Sequence, residues 1–327
     1  MLRHRMPTPA RLSGEPLPSL DDVSTPWPGR HVDVGGARIF VRSTPPTSDD
    51  TEPALFVHGL GGTGHNWTDF AGVLRHRLDI DALDLPGFGR SDPPRDNDYR
   101  LNSHANAVIN YMQSRARGPV HLVGNSMGGA VTILVAAQRP DLVRTLTLVS
   151  PAVPDIKVRL HPLKSDPRMA LLAVPVVGAA ALKRMRLLSD EVRVKATISL
   201  CFAEPSRYPE RRMTEAVREA ALRRPVPWAD AAMLRSLRGL VGSQVLSRRS
   251  AWVTMRRIEA PTLVLWGDRD RLVAADLAPF VATAIPDARL LVLSDIGHVA
   301  MMEDPLTSAR ALLGLLDDTR VERREHA

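Results

Sequence analysis

The chain of 327 residues has one cysteine, Cys201, three tyrosines, five tryptophans and six phenylalanines. A single cysteine excludes an internal disulfide and any cysteine-rich metal site. It is expected to be a buried filler, because a free thiol packs as a small hydrophobe. Aromatic residues are 4% of the chain, and they do not interleave with the arginines as base stacking requires, so no nucleic-acid partner is expected. Long apolar runs are missing too. The longest, "MALLAVPVVGAAAL" at 169–182, contains a proline and falls short of the ~20 residues that span a bilayer. The opening "MLRHRMPTPARLSGEPLPSL" is basic, as export signals are, but prolines break it before an apolar core forms. Residues 1–30 are therefore expected to be a disordered leader with no export implied, and the chain to be cytoplasmic.

Apolar residues at 44% and charged residues at 24% describe an ordinary globular chain with ample material for a core. The net charge of +7 is uneven. Residues 151–250 hold 19 Lys/Arg and 9 Asp/Glu, a balance of +10, while the remainder holds 24 against 27. A solvated arginine-rich helical surface is the simplest explanation, and peripheral contact with an anionic membrane is the alternative.

Short β-rich runs alternate with helical stretches. "HVDVGGARIFVRST" (31–44) has the pattern of a hairpin around Gly35 and Gly36. "ALFVHG" (54–59), "DIDALDL" (79–85), "VHLVGN" (120–125) and "VRTLTLVS" (143–150) follow, separated by helical stretches near 66–76, 102–116 and 127–139. The rhythm resumes with "PTLVLWG" (261–267), a helix near 275–285, "ARLLVLSD" (288–295) and a helix near 303–317. Strands this apolar, with helices between them, require a parallel sheet covered on both faces. Residues 152–249 break the rhythm: prolines cut an Ala-, Leu-, Met- and Arg-rich segment into short helices, as in a helical insertion.

Within "VHLVGNSMGGAV" (120–131), Ser126 centres a GxSxG pattern between a strand and a helix. A bland turn serine would fit Gly and Asn neighbours. The strand–turn–helix setting instead fits a nucleophile elbow, where small flanking residues let the backbone pass and the hydroxyl stands clear of the sheet. Asn125 and Met127 flank the serine, and the Met127 amide opens a helix, where unpaired N–H groups favour a developing negative charge. A serine needs a base held by a third group. His298 follows one strand directly, and Asp270 lies three residues beyond the glycine ending another, giving the order Ser, Asp, His. Asp268 is the competitor, with turn capping as its simpler use. His31, His65, His76, His104, His121 and His161 have no strand-end carboxylate partner by position and are taken as structural or surface residues. "FVHGLGGTGHNW" (56–67) lacks either phosphate-loop pattern. Its Leu60 N–H, near Gly59 and Gly61, is the second candidate oxyanion donor, with His58 bracing the loop.

These blocks, together with Trp67, "DLPGFGRSD" (84–92), "WGDRD" (266–270) and "GHVAMMEDP" (297–305), resemble the α/β-hydrolase superfamily over about 31–151 and 250–318. The resemblance implies a mostly parallel eight-stranded sheet with helices on both faces, a helical cap at 152–249 and a short tail at 319–327. It also implies a serine hydrolase with Ser126, Asp270 and His298 as its triad, Leu60 and Met127 as oxyanion donors, and no metal or organic cofactor. The expected substrate is an ester, thioester or amide of a small apolar acyl compound, with Met169, Leu171, Leu172, Val174, Val176, Val177 and Leu182 as candidate pocket residues. "GNSMGG" and "WGDRDRLV" are also similar to carbon–carbon bond hydrolases of meta-cleavage products, although Val299 stands where those enzymes usually carry Trp. Capped epoxide hydrolases share the loop, but they use an aspartate at the elbow and a pair of tyrosines, and the cap here offers only Tyr208. A non-catalytic binding protein on the same fold is the alternative of a different class.

Overall fold

The computed structural model describes residues 6–20, 26–45, 47–48, 50–155, 175–246 and 248–325. Its sheet contains β1 (Thr8–Pro9), β2 (Gly29–Val34), β3 (Ala37–Ser43), β4 (Glu52–Val57), β5 (Leu78–Leu83), β6 (Val120–Asn125), β7 (Val143–Val149), β8 (Thr262–Gly267) and β9 (Ala288–Leu293). The strand order is β1-β9-β8-β7-β6-β4-β5-β3-β2. β2 and β3 form an antiparallel hairpin and β3 meets β5 antiparallel; every other pairing is parallel.

The helices are α1 (Thr68–Leu74), α2 (Leu101–Arg115), α3 (Met127–Gln138), α4 (Pro175–Met185), α5 (Asp190–Cys201), α6 (Glu210–Arg223), α7 (Ala229–Leu246), α8 (Arg248–Met255), α9 (Ala278–Ala284), α10 (Ala300–Glu303) and α11 (Pro305–Glu325). Two buried clusters lie on opposite faces of the sheet. Leu55, Leu122, Leu146 and Val264 pack with α2, α3 and α9, whereas Phe56, Val123, Leu263 and Leu265 pack with α1 and α11. Alternate residues of each strand feed alternate clusters, which is why these strands are apolar throughout.

Three expectations are corrected. The sheet has nine strands, not eight, because Thr8 and Pro9 pair with Arg289 and Leu290. That segment of the expected leader is therefore part of the fold: Ser13 N donates to Arg310 O at 2.9 Å, and Glu15 pairs with His76 and Arg77. Proline suits an edge strand, where its missing N–H leaves no ladder bond unmade. The expected tail continues α11, with Thr319 buried and Arg320 paired to Glu52 at 2.7 Å. Of the candidate pocket residues, Met169, Leu171, Leu172 and Val174 lie outside the described residues, as does His161, while Val177 is exposed.

Helices α4–α7 lie between β7 and β8 in the segment expected to be a cap, and α6 is fastened to the core by charge. The buried Arg212 gives Nη2 to Asp69 Oδ1 at 2.6 Å, Nε to Asp69 Oδ2 at 3.1 Å and Nη1 to Glu215 Oε2 at 2.6 Å. One turn on, Glu219 accepts from Arg42 and Arg90, both at 2.8 Å. Truncating one member of a buried ion pair leaves its partner's charge desolvated and unpaired. Arg212→Ala is expected to lower global stability by about 3 kcal/mol, measured by urea denaturation.

Candidate active site

Ser126 sits between β6 and α3 with φ 54° and ψ −118°. For a residue with a Cβ this is a costly conformation, and its surroundings hold it there. The Ser126 N–H donates to Val149 O at 3.0 Å, and its carbonyl accepts from Ala130 at 3.1 Å and Ala152 at 2.9 Å. The turn fits only because its neighbours are small. A Cβ on Gly128 would lie 2.2 Å from Val57 O, and one on Gly59 would lie 3.0 Å from Ser126 Cβ. The second contact brings the loop after β4 directly against the serine.

His58 shapes that loop. Its Nε2 accepts from Leu85 N–H at 2.9 Å, so the ring proton is on Nδ1, which donates to Gly59 O at 2.7 Å. Gly59 O also accepts from Gly62 N–H at 3.0 Å. In a trans peptide the N–H points opposite to the carbonyl, so tying down Gly59 O turns the Leu60 N–H away from His58. Among the described residues, no backbone or side-chain acceptor engages the N–H of Leu60 or of Met127.

His298 lies after β9 and is 3% exposed. Its Nδ1 is 2.8 Å from Asp270 Oδ2, and the Asp270 side chain is fully buried. Asp270 Oδ1 accepts from the N–H groups of Leu272 at 2.8 Å and Val273 at 2.9 Å. The carboxylate is thus fixed in orientation, and it in turn orients the imidazole through Nδ1. Asp268 is employed elsewhere, accepting from Asp295 N–H at 2.8 Å. The Asn125 side-chain amide donates to Val149 O at 3.0 Å and to His298 O at 3.2 Å, which ties the serine turn to the histidine loop.

Other described histidines have separate neighbours, His65 standing 3.9 Å from Glu215. His31 meets Arg90 O, His76 meets Glu15, His104 meets Ser236, and His121 meets Thr145 and Glu52. Cys201 is partly buried, its thiol pushed up to about 12 by burial, and its carbonyl accepts from His298 N–H at 2.7 Å. Among the described residues, no group of three or more His, Cys, Asp or Glu could hold a metal ion. No described helix is long and apolar enough to cross a membrane.

Two residues not singled out from the sequence complete the surroundings. The buried Glu303, on α10, accepts from Gly297 N–H at 2.7 Å and Ala203 N–H at 3.0 Å through Oε2, and from Glu204 N–H at 2.9 Å through Oε1. It clamps the histidine loop to the cap. Its position five residues after His298 in "GHVAMMEDP" was the available signal. Arg223, at the end of α6, donates from Nη1 to Gly61 O at 3.1 Å and stacks over Phe88 at 5.1 Å. Burial lowers its pKa. Nothing local in the sequence marks it, because it joins the site through the folding of the cap.

Burial lowers His58 to about 3 and His104 to about 4, lowers His65, and raises Asp84 to about 6. In the unfolded chain these histidines take up protons below pH 6.5, whereas in the fold they stay neutral further into acid. The stability they contribute is present above that pH and is lost as pH falls. Asp84 opposes this, since its raised pKa favours the fold below its ordinary value of 3.8 and loses that contribution as pH rises through about 6. Between those limits the protons of His58 and His104 outweigh that of Asp84, and His65 acts in the same direction as the other histidines. Stability is expected to fall by at least about 1 kcal/mol per pH unit on acidification below pH 6, and the dependence to flatten in His104→Gln; thermal melts across pH check both.

The Alpha/beta hydrolase family matches residues 54–311 of this chain. Lipase 3 of Moraxella sp. (strain TA144) is 28% identical over 256 residues, covering 77% of this chain and 73% of that lipase. Lipase 1 of Psychrobacter immobilis is 27% identical over 254 residues, with 77% and 73% covered. Among solved structures, a bacterial membrane phospholipase A aligns with a TM-score of 0.71 and 25% identity, covering 92% of this chain and 89% of that one. The match of the family over most of the chain, on the parallel sheet described above, means that this protein belongs to the α/β-hydrolase family.

Proposed function

We propose that this protein is a serine hydrolase that cleaves an ester of an apolar acyl compound through an acyl-enzyme on Ser126, with thioesters and amides as related substrates. Membership of the family and similarity to two lipases support a hydrolase of ester substrates. The observation that carries the finer reading is the 2.8 Å bond from His298 Nδ1 to a doubly anchored, buried Asp270.

In this mechanism His298 Nε2 takes the Ser126 proton as Oγ attacks the carbonyl carbon. The negative charge that develops on the carbonyl oxygen is received by the N–H groups of Met127 and Leu60. His298 then returns the proton to the leaving alcohol, and the acyl group remains on Ser126. A water molecule deprotonated by His298 attacks the acyl carbon, the bond to Ser126 Oγ breaks, and His298 returns the proton to Oγ as the acid leaves. Every group used is a side chain or backbone amide of the chain, so the steps call for no metal or organic cofactor. Asp270 keeps the imidazole in the working tautomer and stabilises its protonated form. His58 is a positioning residue in this scheme: its low pKa and its two hydrogen bonds fit a brace and not a proton carrier.

The elbow serine does not support epoxide opening, which uses a carboxylate nucleophile. Tyr208, the tyrosine available in the cap, donates instead to Arg212 O at 3.3 Å and packs edge-on against Phe202.

Ser126→Ala is expected to lower ester hydrolysis by a factor of about 10⁶ and Asp270→Asn by about 10⁴. A fluorophosphonate probe should label Ser126 in the wild type, as checked by mass spectrometry, and absence of labelling in folded protein overturns the mechanism. Each methylene of an acyl chain buried in an apolar site contributes about 0.8 kcal/mol. Across a series of p-nitrophenyl esters, kcat/KM is therefore expected to rise about fourfold per methylene until the site is full. A flat series rules out an apolar acyl site.

A further inference from the structure

The turn that joins α4 to α5 presents apolar side chains to solvent. Leu187 is 84% exposed and Leu188 is 45% exposed, and Leu222, on the last turn of α6, is 55% exposed. This turn is built, not loose. Arg224 reaches across from the end of α6 and donates to Leu188 O at 2.8 Å, to Arg186 O at 3.3 Å and to Asp190 Oδ1 at 2.9 Å. Arg186 answers by donating to Arg224 O at 2.9 Å. The leucines are therefore held outward by a polar scaffold that fixes the backbone behind them.

Cations flank the leucines. Lys183 and Arg184 are exposed, and neither has a carboxylate partner among the described residues. They belong to the segment 151–250, whose balance is +10 in a chain of +7. Exposed leucines on a rigid turn lose hydration on entering the acyl boundary of a bilayer, while neighbouring cations gain from an anionic surface.

The tip is also close to the candidate active site. Leu222 faces solvent, and the next residue, Arg223, turns inward to Gly61 O in the loop that meets Ser126. Leu222 thus directly precedes the residue whose side chain reaches that loop.

We propose that the cap tip formed by Leu187, Leu188 and Leu222, with Lys183 and Arg184, docks the protein on anionic lipid bilayers. Binding is independent of the acyl-enzyme reading; only the corollary that the bilayer supplies a lipid ester to Ser126 rests on it.

The test is co-sedimentation of the full chain with vesicles of phosphatidylcholine containing about one quarter phosphatidylglycerol, beside pure phosphatidylcholine. The wild type is expected to partition at least about tenfold more strongly onto the anionic vesicles and to be released as NaCl is raised from about 50 to about 500 mM. Ser126→Ala should bind equally, which separates this result from the fate of the catalytic reading. Leu187→Ser/Leu188→Ser should lose about tenfold or more of the binding, and Lys183→Gln/Arg184→Gln about fivefold per charge. Circular dichroism and hydrolysis of a short soluble ester should be unchanged in both double variants, which keeps loss of binding distinct from loss of fold. Wild-type affinity retained in Leu187→Ser/Leu188→Ser, or equal affinity for neutral vesicles, overturns the proposal. So does a concentration-dependent dimer in sedimentation velocity that the leucine variant abolishes, since the tip would then be a contact between two copies of the chain.

Discussion

The arrangement around the candidate site depends on one backbone constraint, the positive φ of Ser126. A conformation of this kind costs of order 1 to 3 kcal/mol and persists only where its surroundings determine it. Here both backbone polar groups of Ser126 are committed, to Val149 on one side and to Ala130 and Ala152 on the other. Reversing the chain so sharply lets β6, the central strand, deliver a side chain at its C-terminal end and start α3 at once, with the unpaired N–H groups of the helix beside it. The close approach of Val57 O to Gly128 and of Gly59 to Ser126 follows from the same turn. Relaxing it would separate the serine from the loop that carries the Leu60 N–H.

The histidine loop is held with comparable care, by core and cap together. The His298 carbonyl is bound by Asn125, its N–H by Cys201 O at the end of α5, and the preceding Gly297 N–H by Glu303, which also binds Ala203 and Glu204. A rigid swing of α5 away from the core would break the bonds of Cys201, Ala203 and Glu204 to this loop and to Glu303, and leave Asn125 and the Gly297–Glu303 bond to hold it. On the other side of the cap, Arg212 and Glu219 fasten α6 to Asp69, Arg42 and Arg90. The cap is thus part of what positions the site, and access to Ser126 has to be achieved without detaching either anchor.

Much of this was legible in the sequence, for physical reasons. The buried parallel strands announce themselves as short apolar runs, and Ser126, Asp270 and His298 stand at strand ends where Gly and short polar residues mark the turns. The choice of Asp270 over Asp268 followed from spacing, and it is Asp270 that meets His298. The sequence did not disclose β1, because a two-residue edge strand containing Pro9 carries no periodicity and forms only through its partner β9. Arg223 and the Arg212–Asp69 anchor were equally hidden. Both connect residues far apart in the chain, and the composition of the cap shows only that it is basic, not which arginines turn inward.

That last distinction explains the uneven charge. Arg42, Arg90 and Arg212 are spent on carboxylates between cap and core, and Arg224 on carbonyls and Asp190 within the cap. Paired cations of this kind hold geometry and add little to the long-range field. Among the described residues, Lys183 and Arg184 are cations without a carboxylate partner that stand beside exposed leucines and can act on an outside partner. Paired arginines fix the inserted helices on the core, and the α4–α5 turn gives them a surface that is both cationic and apolar, the two properties that an anionic bilayer rewards together.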